Sequence, residues 1–75
     1  MHQATERSEY RTGQWVVGVY FGKPFSGRIS PETRPTPDYY NIQFHIVLDA
    51  PIEVFGQVRE QIYVETNSSN TLYLE

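Results

Sequence analysis

Few side chains in this sequence could do chemistry, and none has the company that chemistry would need. His45 is the only histidine inside a patterned stretch, since His2 stands near the start. In alternation with it come Gln43 and Asn41, a set suited to hydrogen bonding or proton transfer on a ligand face. The alternative is an ordinary histidine on the solvated side of a sheet, and that is the expectation. A metal needs three or four ligands, and no second histidine or carboxylate stands at a ligating spacing. There is no cysteine, so disulfides and thiolate sites are excluded. Ser26, in Pro24-Phe25-Ser26-Gly27, lacks the G-x-S-x-G setting of a nucleophile and has no neighbouring base. Asp49, Glu53, Glu60 and Glu65 read as a solvated acidic rim. Gly18-Val19-Tyr20-Phe21-Gly22 opens no helix and cradles no phosphate. The expectation is a protein without cofactor or metal, and not an enzyme.

Aromatic side chains are 15% of the chain, too many for a disordered segment. What they do depends on where each element points them. Five glycines and five prolines punctuate the sequence so densely that no window is long enough for a helix. The stretches between are rich in Val, Ile, Tyr, Phe and Trp, so the chain reads as all-β. A first strand over residues 14–21 alternates Trp15, Val17, Val19 and Phe21 against Gln14, Val16, Gly18 and Tyr20; the first set is bulkier and is assigned to the core. A second strand covers residues 25–29, with Gly27 marking a bulge or a close backbone approach. Three prolines make residues 30–38 a loop, long enough to be a binding element.

Residues 39–48 show the clearest alternation: Tyr40, Ile42, Phe44, Ile46 and Leu48 inward, with Tyr39, Asn41, Gln43, His45 and Val47 outward. Asp49-Ala50-Pro51 reads as a turn, and residues 52–55 as a further extended piece. Gly56 is either a bulge or a turn. Residues 58–65 then place Ile62 and Val64 inside and Arg59, Gln61, Tyr63 and Glu65 outside. Asn67-Ser68-Ser69-Asn70 is a polar hairpin turn, after which Leu72 and Leu74 close the core with Tyr73 outside. The final Leu74-Glu75 pair matches a remnant of cloning and is given no functional weight. Short strands at this spacing avoid open edges by closing on themselves. The expected architecture is a five-stranded antiparallel barrel, SH3-like with an OB-like alternative, over residues 13–75, behind a flexible segment of residues 1–12.

Seventy-five residues form one domain near the lower limit for an unaided core, which favours self-association. The net charge of −3 does not favour strong nonspecific binding to nucleic acid. Lys23, Arg28, Arg34 and Arg59 interleaved with aromatic rings leave a single-stranded nucleic-acid binder as an alternative. No apolar run is long enough to span a bilayer and the N-terminal stretch lacks a secretory pattern, so a cytoplasmic protein without membrane contact is expected. Outward tyrosines give a partly apolar surface rimmed by hydroxyls, the composition found where proteins meet partners. The candidate binding residues are Tyr20, Tyr39, Gln43, His45, Arg59, Tyr63 and Tyr73, and the expected function is a protein-binding, self-associating module.

Two resemblances accompany this reading. The order Gly13-Gln14-Trp15-Val16, Phe25-Ser26-Gly27-Arg28-Ile29 and Val47-Leu48-Asp49 resembles SH3-like accessory proteins of mobile genetic elements: plasmids, phages and integron cassettes. Gln61-Ile62-Tyr63 is similar to a triplet of the plasmid-borne type II dihydrofolate reductases, in which four SH3-like protomers enclose a pore. That resemblance implies Gln61 and Tyr63 facing a pore that binds folate and NADPH, with Ile62 contributing its backbone. The flanks depart from the family, with Glu60 in place of a small apolar residue and Val64 where a proline follows the tyrosine.

Overall fold

The computed structural model describes residues 1–75 and contains seven strands and no helix. They are β1 (His2–Gln3), β2 (Trp15–Tyr20), β3 (Lys23–Ile29), β4 (Arg34–Pro35), β5 (Ile42–Val54), β6 (Gln57–Glu65) and β7 (Thr71–Leu74). All pairings are antiparallel, in the order β1-β7-β2-β3-β5, with β6 along one edge of β5 and β4 sharing the other edge with β3. The sheet curls into an open half-barrel, since no ladder joins β6 back to β1. Five strands were expected; the two extra ones are two-residue pairings that only a folded partner strand can stabilise. No helix is long and apolar enough to cross a membrane.

The core fills the concave face. Ile42, Phe44 and Ile46 of β5 meet Ile62 and Val64 of β6, as their alternation requires. Phe25, Ile29, Leu72 and Leu74 complete it from β3 and β7. Leu74, given no functional weight from sequence, is fully buried and pairs with both Val16 and His2. The N-terminal segment touches the sheet at several points: β1 pairs with β7, Ala4 is buried with its N–H donated to the Leu72 carbonyl at 2.8 Å, and the Tyr10 ring meets Phe44 edge-on at 5.1 Å.

The facing of β2 is the reverse of the expected one. Val16 is fully buried and Tyr20 packs on the core, while Trp15, Val19 and Phe21 are exposed. The cause lies in the neighbours. Gly18 pairs with Phe25 on one side and Leu72 on the other, and the Phe25 ring and the Thr71 carbonyl occupy the space that a side chain there would have needed. Gly27 is the close approach anticipated for it, with β5 backbone directly against it.

Tyr40 was expected inside and is exposed. The strand starts at Ile42, because the Asn41 carbonyl accepts the Thr36 N–H and the Asn41 N–H donates to Thr36 Oγ1 around a turn with Tyr39 at its apex, in the left-handed region (φ 62°). Asp49-Ala50-Pro51 is no turn either. Val47 pairs with Gln61 and Ile52 with Arg59, so residues 48–51 form a wide bulge opposite the single residue 60. Proline fits there because it owes the ladder no donor. Phe55-Gly56 makes the true turn.

Candidate functional site

The convex face of the sheet carries the side chains left over by the core. Across it, Tyr63 of β6 pairs with His45 of β5, Gln61 with Val47, Val47 with Arg28 of β3, and Arg28 with Trp15 of β2. His45 points outward as its alternation demands, yet it is only 4% exposed, which corrects the expectation of a solvated histidine. A strap formed by residues 30–33 covers it. The ladder from β3 ends at Ile46 and that from β4 begins at Gln43, leaving the His45 backbone between them. Thr33 Oγ1 accepts the His45 N–H at 2.9 Å, and the His45 carbonyl accepts the Ser30 N–H at 2.9 Å. The ring is held between strap and strand: Nδ1 meets Ser30 Oγ at 2.5 Å and Glu32 Oε2 at 3.3 Å, and the Tyr63 ring lies 4.6 Å away.

Serine, histidine and glutamate thus converge, but not as a nucleophilic relay. Such a relay has the nucleophile on one ring nitrogen and the orienting carboxylate on the other. Here both address Nδ1, and the arrangement works as a clasp that satisfies a buried polar ring.

Beside the clasp is an open groove of about 390 Å³, bordered by Trp15, Arg28, Pro31, Val47 and Asp49. The Arg28 guanidinium stacks 4.2 Å from the centre of the Trp15 ring. It forms no ion pair, so its edge donors stay free while its face covers the indole. Trp15 and Val47 remain partly exposed along this row, as does Tyr63 in the next one. A surface of this kind can seat an apolar side chain and orient it through Arg28.

Of the seven residues singled out from sequence, the fold gathers three and scatters four. His45, Tyr63 and Gln43 are neighbours on β5 and β6, with Gln43 also opposite Arg34 of β4. Tyr39 is beyond them at the apex of its turn, on a polar hollow that Gln43 and Glu65 also line. Tyr20 packs partly buried against the core rather than on the convex face, a correction that follows from the reversed facing of β2. Tyr73 is outward but lies on β7, four strand spacings from Tyr63, or about 19 Å. Arg59 is beyond the bulge, opposite Ile52.

Sequence reading placed Arg28 beside aromatic rings only as part of a nucleic-acid alternative, and missed Trp15, assigned to the core, as its partner. Their pairing was available from the two-residue turn at Phe21-Gly22, which fixes the register of β2 on β3.

The rim of the polar hollow carries a pH-sensitive tie. The Thr36 hydroxyl donates to Asp38, as does the Tyr40 N–H at 3.1 Å, and together they hold its carboxyl below the ordinary 3.8. Because the folded value is the lower one, this tie is complete above pH 3.8 and is lost as pH falls through the depressed value. Hydrogen exchange at the Tyr40 amide is therefore expected to accelerate in that acid range, beyond the intrinsic pH effect. Asp38→Ala should show the faster exchange already at neutral pH.

No family model, curated protein or solved structure matches this chain.

Proposed function

We propose that this chain is a non-enzymatic binding module that receives a protein surface, including that of a second copy, on the convex face of its half-barrel. The observation that carries this reading is Trp15, stacked under an unpaired Arg28 at the side of an open groove and in line with Val47, with Tyr63 in the next cross-strand row. Tryptophan, tyrosine and arginine contribute most to protein interfaces, because each joins a large apolar area to a directional donor. The groove takes an apolar side chain of the partner, and Arg28 donates to a carbonyl or carboxylate beside it. The tyrosine surface proposed from sequence contracts to Tyr63.

Self-association can be measured without knowing another partner. Light scattering over a dilution series should show a mass that falls toward 8.8 kDa as the protein is diluted. Trp15→Ala, an exposed site, should weaken association by about tenfold or more, and Tyr63→Ala by less. A mass fixed at 8.8 kDa, or association unchanged in both variants, overturns the assignment. Two other outcomes would replace it with a different class. One is a single-strand mobility shift that disappears with salt. The other is NADPH oxidation with dihydrofolate that Gln61→Ala abolishes.

A further inference from the structure

Two hairpin tips carry phenylalanine where the backbone favours asparagine or glycine. Phe21-Gly22 joins β2 to β3 and Phe55-Gly56 joins β5 to β6, with φ of 49° and 81° in the first turn and 52° and 75° in the second. Two-residue loops with both φ positive are type I′ turns, for which Asn-Gly is the favoured pair and a bulky residue is strained. The strain is not offset by burial, since Phe21 is 51% exposed and Phe55 79%. Yet the two tips meet. Their rings are 5.0 Å apart at 61°, and Tyr20 lies against Phe21 at 4.7 Å, so two separate hairpins form one aromatic prow.

We propose that this prow is a lipid-contact site, inserting Phe21 and Phe55 into the interface of an anionic bilayer while Lys23 meets the headgroups. Charge favours that occupant. Residues 20–24 and 54–58 contain one charged side chain, Lys23, in a chain of net charge −3. The next charges along the second hairpin, Glu53 and Arg59, are opposite in sign. Area disfavours a protein. Rings of about 200 Å² at these exposures offer about 260 Å² in all, against about 800 Å² per partner in a stable protein interface. A second copy meeting tip to tip would also oppose Lys23 to itself. A fluid interface makes no demand on area or shape and accepts aromatic side chains one at a time. The expectation of no membrane contact rested on the lack of a spanning run, and contact through two turns needs none.

The test is co-sedimentation with vesicles of equimolar phosphatidylcholine and phosphatidylglycerol at about 1 mM accessible lipid, where binding as weak as that of one acyl chain is visible. The wild-type chain is expected in the pellet. Phe21→Asn/Phe55→Asn should reduce the bound fraction about fivefold or more, and Lys23→Glu or pure phosphatidylcholine should also reduce it. The double variant should melt no lower than the wild type, because Asn-Gly suits both turns, so its loss of binding is not unfolding. Wild-type protein left in the supernatant, or a double variant that binds as well as wild type, overturns the proposal. So does a double variant that loses only self-association, which would assign the prow to a second copy.

Discussion

Gly18→Ala is expected to cost the domain about 3 kcal/mol or more, although a glycine-to-alanine change in a strand usually helps. An added Cβ at Gly18 would lie 1.9 Å from the Thr71 carbonyl oxygen and 2.9 Å from a Phe25 ring carbon. The obstacle on one side is backbone, which no rotamer change can move. To admit the methyl, β7 must draw away from β2, and Val17 and Val19 then lose their registration with Tyr73 and Thr71. A chain of this length has a total stability of about 4–11 kcal/mol, so the loss takes a large share of it. Urea denaturation followed by circular dichroism measures it directly. An unchanged midpoint would mean that the two strands are not held this close.

Phe44→Ala should cost about 3–5 kcal/mol. Phe44 is fully buried near the start of β5, where it packs with Val64 of β6 and receives the edge of Tyr10. Truncation opens a cavity that the surrounding strands cannot close without breaking register. The melting temperature should fall by about 12 °C or more, since each kcal/mol moves a domain of this size by several degrees. Phe55 is the contrast: the same residue type, at an exposed and strained turn, whose replacement by asparagine should cost little. If Phe44→Ala melted like the wild type, the core would have to be centred elsewhere.

These two sites also show how far the sequence can be read. Phe44 was legible because its stretch of β5 alternates between one buried face and one outward face, and a single strand's alternation then reports that face directly. In β2 the same parity argument failed, because Gly18 marks where neighbouring side chains fill the interior. Bulk within one strand cannot reveal what adjacent strands supply.

His45 failed for another reason. Its direction was read correctly, but its burial comes from the strap of residues 30–33, which only a gap between two ladders could call into place. The pairing of His45 with Tyr63 was hidden as well. The Phe55-Gly56 turn would set one register, and the bulge at residues 48–51 replaces it with another before His45 is reached. Trp15 and Arg28 were open to inference from their turn, whereas the convergence of two phenylalanine tips belongs to tertiary structure alone.

The pairing of His2 with Leu74 has a mechanical consequence. The first and last strands are antiparallel neighbours whose outer ends lie side by side. Tension applied between the two ends of the chain would therefore peel β1 from β7 one pair at a time, as a zip opens, rather than load all the bonds in shear. The pairs would open from His2 and buried Leu74 toward Ala4 and Leu72, so a pulling force would reach the apolar edge of the core long before it disturbed the clasp around His45.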